Sequence, residues 1–372
     1  MFLRYVRLLS LALALIVPVT AAQGAPDDKA MRHLIEATVT HHIVPRYGRL
    51  AEAAAALDGA VAGYCADRGA AGLERVRRAY ADASTAWQGI QHVRFGPAEL
   101  FMRATRLHFW PDPRNVAGRQ LDDLLAARDA SALTPESFMR ASVAVQGFPA
   151  LERLLFDEDA VAALTSGDDA VFRCDLLRAI AANVASMGAE LERDWVGGKG
   201  AWSRILVRAD GSYGSRYNAP KDVVTDLLKA LHLAVELVAD HKLARPLGAS
   251  VAAARPRLAE AWRSHRSLEN IRANLTAAAA LYEGEGGWGM SGFVREAAGD
   301  AALDDLLRRA FAQTRASAAA IKMPLEEAVA DPAVRPAVEQ LRREAAALKA
   351  LIVQRLAPAL GTPVGFNALD GD

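Results

Sequence analysis

The sequence predicts an all-α protein of two helical-bundle domains. Three observations carry this. Apolar residues recur three and four apart over long stretches, the period of a helix with one buried face. No run alternates with period two, as a half-buried strand does. Alanine is very abundant and aromatic residues make up only 6%, a composition that favours helices over sheet. At 372 residues and 52% hydrophobic content, the chain suits about two domains and has enough apolar surface for a sizeable core. Basic and acidic residues balance at 44 each, which excludes a nucleic-acid or other polyanion binder working by bulk charge.

Residues 1–25 read as an export signal. Arg4 and Arg7 precede an apolar run from Leu8 to Val19, too short to span a bilayer comfortably, and small residues follow from Thr20 to Ala25. An uncleaved membrane anchor is the other reading. No Cys follows the run, which argues against a lipoprotein. The expected location is the periplasm or cell envelope. An oxidising compartment permits a bridge between the two cysteines, Cys65 and Cys174; two buried free thiols are the alternative.

The first domain is expected over 26–205. Leu34 to Cys65 holds one long helical pattern, with a kink or a helix start at Pro45. Asp67-Arg68-Gly69 is a turn, and Leu73 to Ile90 is the next helix, with Val76, Tyr80 and Trp87 on one side. Gly96-Pro97 and Trp110-Pro111-Asp112-Pro113 mark Arg94 to Val116 as irregular. Helices resume near Leu121, at Phe138 to Phe156 and at Val171 to Trp195. Gly197 to Gly200 and the polar stretch Asp210 to Pro220 place the boundary, so the second domain is expected over 206–372. There Val224 to Val238 and Leu258 to Tyr282 read as helices, as do Asp300 to Ile321 and Ala333 to Leu356. Val338, Leu341, Ala345, Leu348, Ile352 and Leu356 form a near-heptad seam suited to bundle packing. A loose match of Tyr80, Trp87 and Ile90 with Trp262 and Ile271 leaves both duplication and chance open.

Strong catalytic motifs are missing. There is no H-E-x-x-H, and the G-x-G-x-x-G of Gly284 to Gly289 follows a helix where a dinucleotide site needs a strand. The informative stretch is Val145 to Phe156, an apolar helical run broken by Gly147 and Pro149. A proline within a helix frees backbone carbonyls, and Glu152 lies three residues on, on the same side. A carboxylate beside free carbonyls makes an oxygen-rich site for a hard cation. The plainer reading is a structural kink with Glu152 paired to Arg46, Arg94 or Arg153. The irregular segment is a second candidate. There Arg94, Glu99, Arg103, Arg106, His108, Trp110, Arg114 and Asn115 gather basic and aromatic groups suited to a carboxylate-rich iron chelate or an anionic sugar.

Gly147-Phe148-Pro149-Ala150-Leu151-Glu152 resembles the G-x-H-x-x-E motif of the imelysin family. Other segments are similar to the same family in the same order: Ile43-Val44-Pro45-Arg46-Tyr47, Trp87 followed by Arg94-Phe95-Gly96-Pro97, Trp110-Pro111 with Asn115, and Trp262-Arg263-Ser264 through Ser267-Leu268 to Asn270-Ile271. Gly365 to Asp372 resembles the family's ending. The resemblance implies an exported protein of two helical bundles with a site in the groove between them. It suggests Gly147, Glu152, His41, Arg46, Trp87, Arg94, Trp110, Asn115, Ser264 and Asn270 as groove residues and Glu152 as a metal ligand. The family includes an insulin-cleaving membrane protease and iron-regulated envelope proteins, and it is classed among metallopeptidases. This chain departs at Pro149, where members carry His, so a His–Glu metal pair cannot form at 149 and 152. The expectation is therefore a binding or accessory protein in iron uptake. Its ligand would be iron, another divalent metal or an iron chelate, and its partner an outer- or inner-membrane uptake protein. A metal-dependent peptidase and a structural partner of an outer-membrane receptor are the alternatives. No catalytic residue is assigned.

Overall fold

Helix follows helix in the computed structural model, which describes residues 27–166, 169–198 and 200–362, with no strand among them. The segment read as an export signal and the Gly365–Asp372 ending lie outside the described residues. α1 (Asp28–Thr38) starts where Asp27 accepts a hydrogen bond from the Lys29 N–H at 3.0 Å. It runs through a wide π turn, Val39–Ile43, into α2 (Val44–Ala66). Pro45 sits at the head of α2. Its missing N–H and its ring are accommodated by widening one turn, so the rod continues where the sequence left a kink or a start open. α3 (Ala70–Gln88) turns back after Gly69. α4 (Val116–Ala127) follows the irregular stretch, and α5 (Phe148–Phe156) leads on to the long α6 (Ala170–Val196).

α2 packs against α3 and α6 along most of its length. Leu50, Leu57, Val61, Val76, Leu177, Ile180, Val184 and Leu191 are fully buried between them. A single Leu→Ala change in such a core costs about 2–5 kcal/mol. Gly188 permits the approach of α6, since a Cβ there would lie 3.2 Å from the Ala51 Cα. Cys65 and Cys174 form a disulfide that ties α2 to α6 across a sequence separation of 109, which settles the choice between bridge and free thiols.

The second half holds α7 (Pro220–Glu236), α8 (Ser267–Glu283), α9 (Ala301–Ala320) and α10 (Arg335–Leu351). The expected seam of Val338, Leu341, Ala345, Leu348, Ile352 and Leu356 is buried throughout. Apolar packing forms two clusters. The larger runs from Met31 to Leu360 and draws on both sides of position 205; the smaller joins Val238, Leu243, Leu268, Ile271 and Leu275 to Val338 and Leu341.

Two expected helices are shorter than their patterns. Phe138 to Phe156 is not one helix: a short helix ends at Phe138, a 3-10 turn spans Val143–Val145, and α5 begins only at Phe148. Leu258 to Tyr282 likewise becomes a 3-10 turn at Pro256–Leu258, a string of turns, and then α8 from Ser267. Trp87 therefore lies on a helix and Trp262 in a turn, and the two tryptophans of the loose internal match do not share a structural position.

Candidate functional site

The start of α5 shapes the site. Gly147 precedes the helix in extended conformation, φ −137° and ψ −159°, which any residue can adopt. Space, not conformation, requires glycine there: a Cβ would fall 2.2 Å from the Leu107 carbonyl oxygen and 2.3 Å from that of Arg106. Pro149 stands in the first turn of α5, where an N–H has no intrahelical acceptor. It starts the helix and does not break one. The freed carbonyls expected beside Glu152 are therefore not produced, and neither is an oxygen-rich cage built from them.

Glu152 sits one turn into α5 and is 3% exposed. Its Oε1 accepts two hydrogen bonds from Ser264, from the backbone N–H at 2.9 Å and from the hydroxyl at 2.8 Å. Ser264 belongs to the turns before α8, so this contact joins the two halves of the chain. The expected arginine partners go elsewhere: Arg153 donates to Asn115 at 3.1 Å, and Arg46 pairs with Glu285 at 2.9 Å. Burial pushes the Glu152 carboxyl up to about 7, with the Ser264 hydrogen bonds and nearby Arg263 pulling against it and the Glu260 charge adding to it.

In front of Glu152 opens a cavity of about 1010 Å³. Trp110, Asn115, Pro149 and Glu152 line it from the first half, and Arg245, Arg257, Glu260, Trp262 and Arg263 from the second. Behind it lies a buried polar cluster. Lys242, 1% exposed, donates from Nζ to Glu260 Oε2 and to Gln88 Oε1, both at 2.7 Å. Glu260 also accepts from Asn270 at 2.8 Å and Gln88 at 3.3 Å, and His108 Nε2 lies 3.2 Å from its Oε1. The Lys242 ammonium stands 6.0 Å from the Trp110 ring centroid. Burial alone would raise Glu260, but Lys242 and His108 outweigh it and hold the carboxyl well below the usual range. Burial also lowers Lys242, and Glu260 opposes that.

The structure therefore brings Glu152, Trp110, Asn115, Ser264 and Asn270 to the cavity or the cluster behind it, with Gly147 supporting from the start of α5. Trp87 is buried in the core nearby, its indole N–H without an acceptor among the described residues. His41, Arg46 and Arg94 lie elsewhere. His41 covers Gly286, where a Cβ would meet its ring at 2.3 Å, and Arg46 pairs with Glu285 in the same loop. Half-buried Arg94 donates from Nε to the Gln91 carbonyl at 3.4 Å. Beside Arg46, His42 and His92 place their Nε2 atoms 3.0 Å apart, and Glu285 lies 3.2 Å from His42 Nδ1. Burial holds His42 down to about 4 despite Glu285, and His92 well below the ordinary imidazole range.

Sequence reading missed Glu260, Lys242 and the arginines at 245, 257 and 263. Lys242 left no clear signal, since it stands in the charged run Asp240-His241-Lys242. Glu260 left none, because its segment reads as helix.

The donor set does not suit a resident metal ion. Among the described residues no three His, Cys, Asp or Glu side chains converge as ligands. Pro149 offers no ligating atom, and the polar cluster already holds a cation in Lys242. Asn270 Oδ1, Asn274 Oδ1 and His108 Nδ1 are buried there without partners among the described residues, but two amide oxygens and one imidazole nitrogen beside an ammonium make no metal centre.

Comparison with known proteins agrees with this architecture. The sequence model of the peptidase M75 family, imelysin, matches residues 43–353. Iron-regulated protein A of Synechococcus elongatus is 25% identical over 279 residues, covering 74% of this chain and 71% of the relative. A solved chain assigned as an iron-regulated protein A precursor, from Parabacteroides distasonis, superposes with a TM-score of 0.72 at 17% identity, covering 89% of this chain and 97% of the other. An imelysin-like protein from Psychrobacter arcticum also gives 0.72, at 22% identity, covering 92% and 99%. At these identities the solved chains establish the fold alone.

Proposed function

This chain belongs to the imelysin family, and from that premise we propose that it is an exported binding protein of iron uptake, holding its ligand in the groove between its halves. One observation carries the reading. Glu152 of α5 and Ser264 of the second half meet at the floor of a cavity of about 1010 Å³ lined from both sides. Such a concave site with few convergent polar groups is the usual form of a small-molecule pocket. The name of the Synechococcus relative, iron-regulated protein A, supports iron as the cargo. Binding fits better than metal-dependent hydrolysis, which needs several good ligands and an open coordination position. The arginine-flanked apolar run at the N-terminus supports export, and no helix among the described residues is long and apolar enough to cross a membrane. A membrane uptake protein would then receive the ligand.

Titration calorimetry of the processed chain with Fe²⁺ and with ferric citrate tests this, beside Glu152→Ala. Saturable binding of at least one probe by the parent, weakened about tenfold or more in the variant, is the expected result. Binding of neither probe would end the reading. Cleavage of an unfolded polypeptide that stops on chelation would turn it toward a peptidase.

A further inference from the structure

We infer that the groove recognises its ligand as a small polycarboxylate anion, free or as the outer arms of an iron chelate, and makes no direct bond to the metal. This rests on the reading of the groove as the binding site and adds the chemistry of what enters it.

Two arginines of this wall are not engaged in the way that the ion-paired arginines of the helices are. Arg103 meets Glu190 and Asp194 at 3.0 and 2.7 Å, and Arg335 meets Glu339 at 2.7 Å. Arg245 and Arg257 line the cavity, and neither has a carboxylate within ion-pair distance among the described residues. Arg257 is held against the Trp262 ring, its guanidinium carbon 5.3 Å from the centroid, and Arg263 lies against the same ring at 4.3 Å. Arg263 spends only Nε on Asp157, at 2.5 Å. Both guanidinium groups lie against one indole, and a guanidinium fork matches a carboxylate with two parallel hydrogen bonds.

Glu152 completes the match. Both its hydrogen bonds fall on Oε1, and Oε2 accepts none among the described residues. Its carboxyl, raised by burial, is available as an O–H donor to an incoming carboxylate at neutral pH or slightly below. The charged groups around it are Arg263 and Glu260 from the second half, with Arg153 and Asp157 on its own segment; Tyr80 of α3 stands near. Carboxylates of the cavity leave Arg245 and Arg257 without an ion pair among the described residues. Asp112 accepts from the first N–H groups of α4, Asp157 pairs with Arg263, and Glu326 with His265. Glu158, Asp159 and Glu327 are exposed at the rim, where water screens them.

Three probes decide the matter in calorimetry at pH 6.5: metal-free citrate, ferric citrate and Fe²⁺ alone. Each is titrated into the processed chain, the Arg245→Gln/Arg257→Gln double variant, Glu152→Ala, and Arg342→Gln on the exposed face of α10 as a charge-matched control. Citrate with and without iron is expected to bind the parent and the control. The double variant should lose tenfold or more in affinity for both, while its helical circular dichroism is retained. Fe²⁺ alone should not bind in the groove. Binding of Fe²⁺ that Glu152→Ala removes, with no citrate binding, would overturn the inference and leave the groove reading standing. Citrate binding untouched by the double variant would overturn it as well, since the anion would then sit elsewhere. Binding of no probe would end both.

Discussion

Two buried polar clusters join distant parts of this chain, and they are built in opposite ways. Behind the groove, a carboxylate at Glu260 is met by the Lys242 ammonium, His108 and two amide donors, and Glu152 keeps one oxygen without a donor among the described residues. Beside the 284–289 loop, two imidazoles face one another at 3.0 Å and a single carboxylate, Glu285, serves both His42 and Arg46. The first opens on a cavity; in the second the imidazoles are buried and Glu285 stands at the surface. Burial acts on both, but it favours the neutral form of each group, so it raises the carboxyl of Glu152 and lowers the imidazole of His42. The same desolvation thus gives the two clusters opposite responses to pH.

The largest way to break the comparison is Lys242→Met. It leaves Glu260 charged, buried and without its main counter-ion, and should cost about 3–5 kcal/mol in urea unfolding. Lys242→Met with Glu260→Gln should recover much of that loss, because the double change removes the charge as well as its partner. A single variant as stable as the parent would show that water already reaches the pair.

The next two expectations are matched in size and opposite in sign. Glu152 has a folded value of about 7 against an ordinary 4.5, so its contribution is full below about pH 4.5 and is lost as pH rises through 7. At most this is on the order of 3 kcal/mol. Glu152→Gln should flatten the fall in stability between pH 5 and 8, read as the urea midpoint at each pH. His42, held near 4 against an ordinary 6.5, contributes fully above pH 6.5 and loses that contribution as pH falls toward 4. His42→Gln should flatten stability over that acid range and leave the range above 7 unchanged. If both variants flatten the same range, the two clusters do not titrate as burial dictates.

The smallest effect separates the contacts on Glu152 itself. Ser264→Ala removes the hydroxyl donor and keeps the backbone N–H. It should cost about 1–2 kcal/mol and move the Glu152 inflection to higher pH, since a hydrogen bond to the ionised form has been lost.

The helices were legible from the spacing of apolar residues. Val338 to Leu356 and Leu73 to Trp87 are buried as their periods require, because one face of a helix must leave water whatever it packs on. The extents of two helices were not legible. Ala259 to Arg266 carries apolar residues at helical intervals, yet its backbone makes turns, placing Ser264 and Arg263 over α5. Pro149 misled for a related reason: a proline breaks a helix or begins one according to what precedes it, and here Gly147, pressed onto the Leu107 carbonyl, ends the previous segment. Of the groove, Glu152, Trp110, Asn115, Ser264 and Asn270 could be named from motif resemblance. Lys242 and Glu260 could not, since neither motif nor period marks two residues 18 apart as an ion pair.

What the sequence by itself determined is the helical class, the buried seams and the family. These follow from local periods and ordered short motifs, which survive without knowledge of any neighbour. The tertiary structure alone decided that Cys65 meets Cys174, that Glu152 rests on Ser264 and not on an arginine, and that Arg245 and Arg257 face a cavity without carboxylate partners among the described residues. Charge, burial and protonation depend on which groups come within a few ångströms through space. Residues more than a hundred positions apart acquire that proximity only when the chain packs.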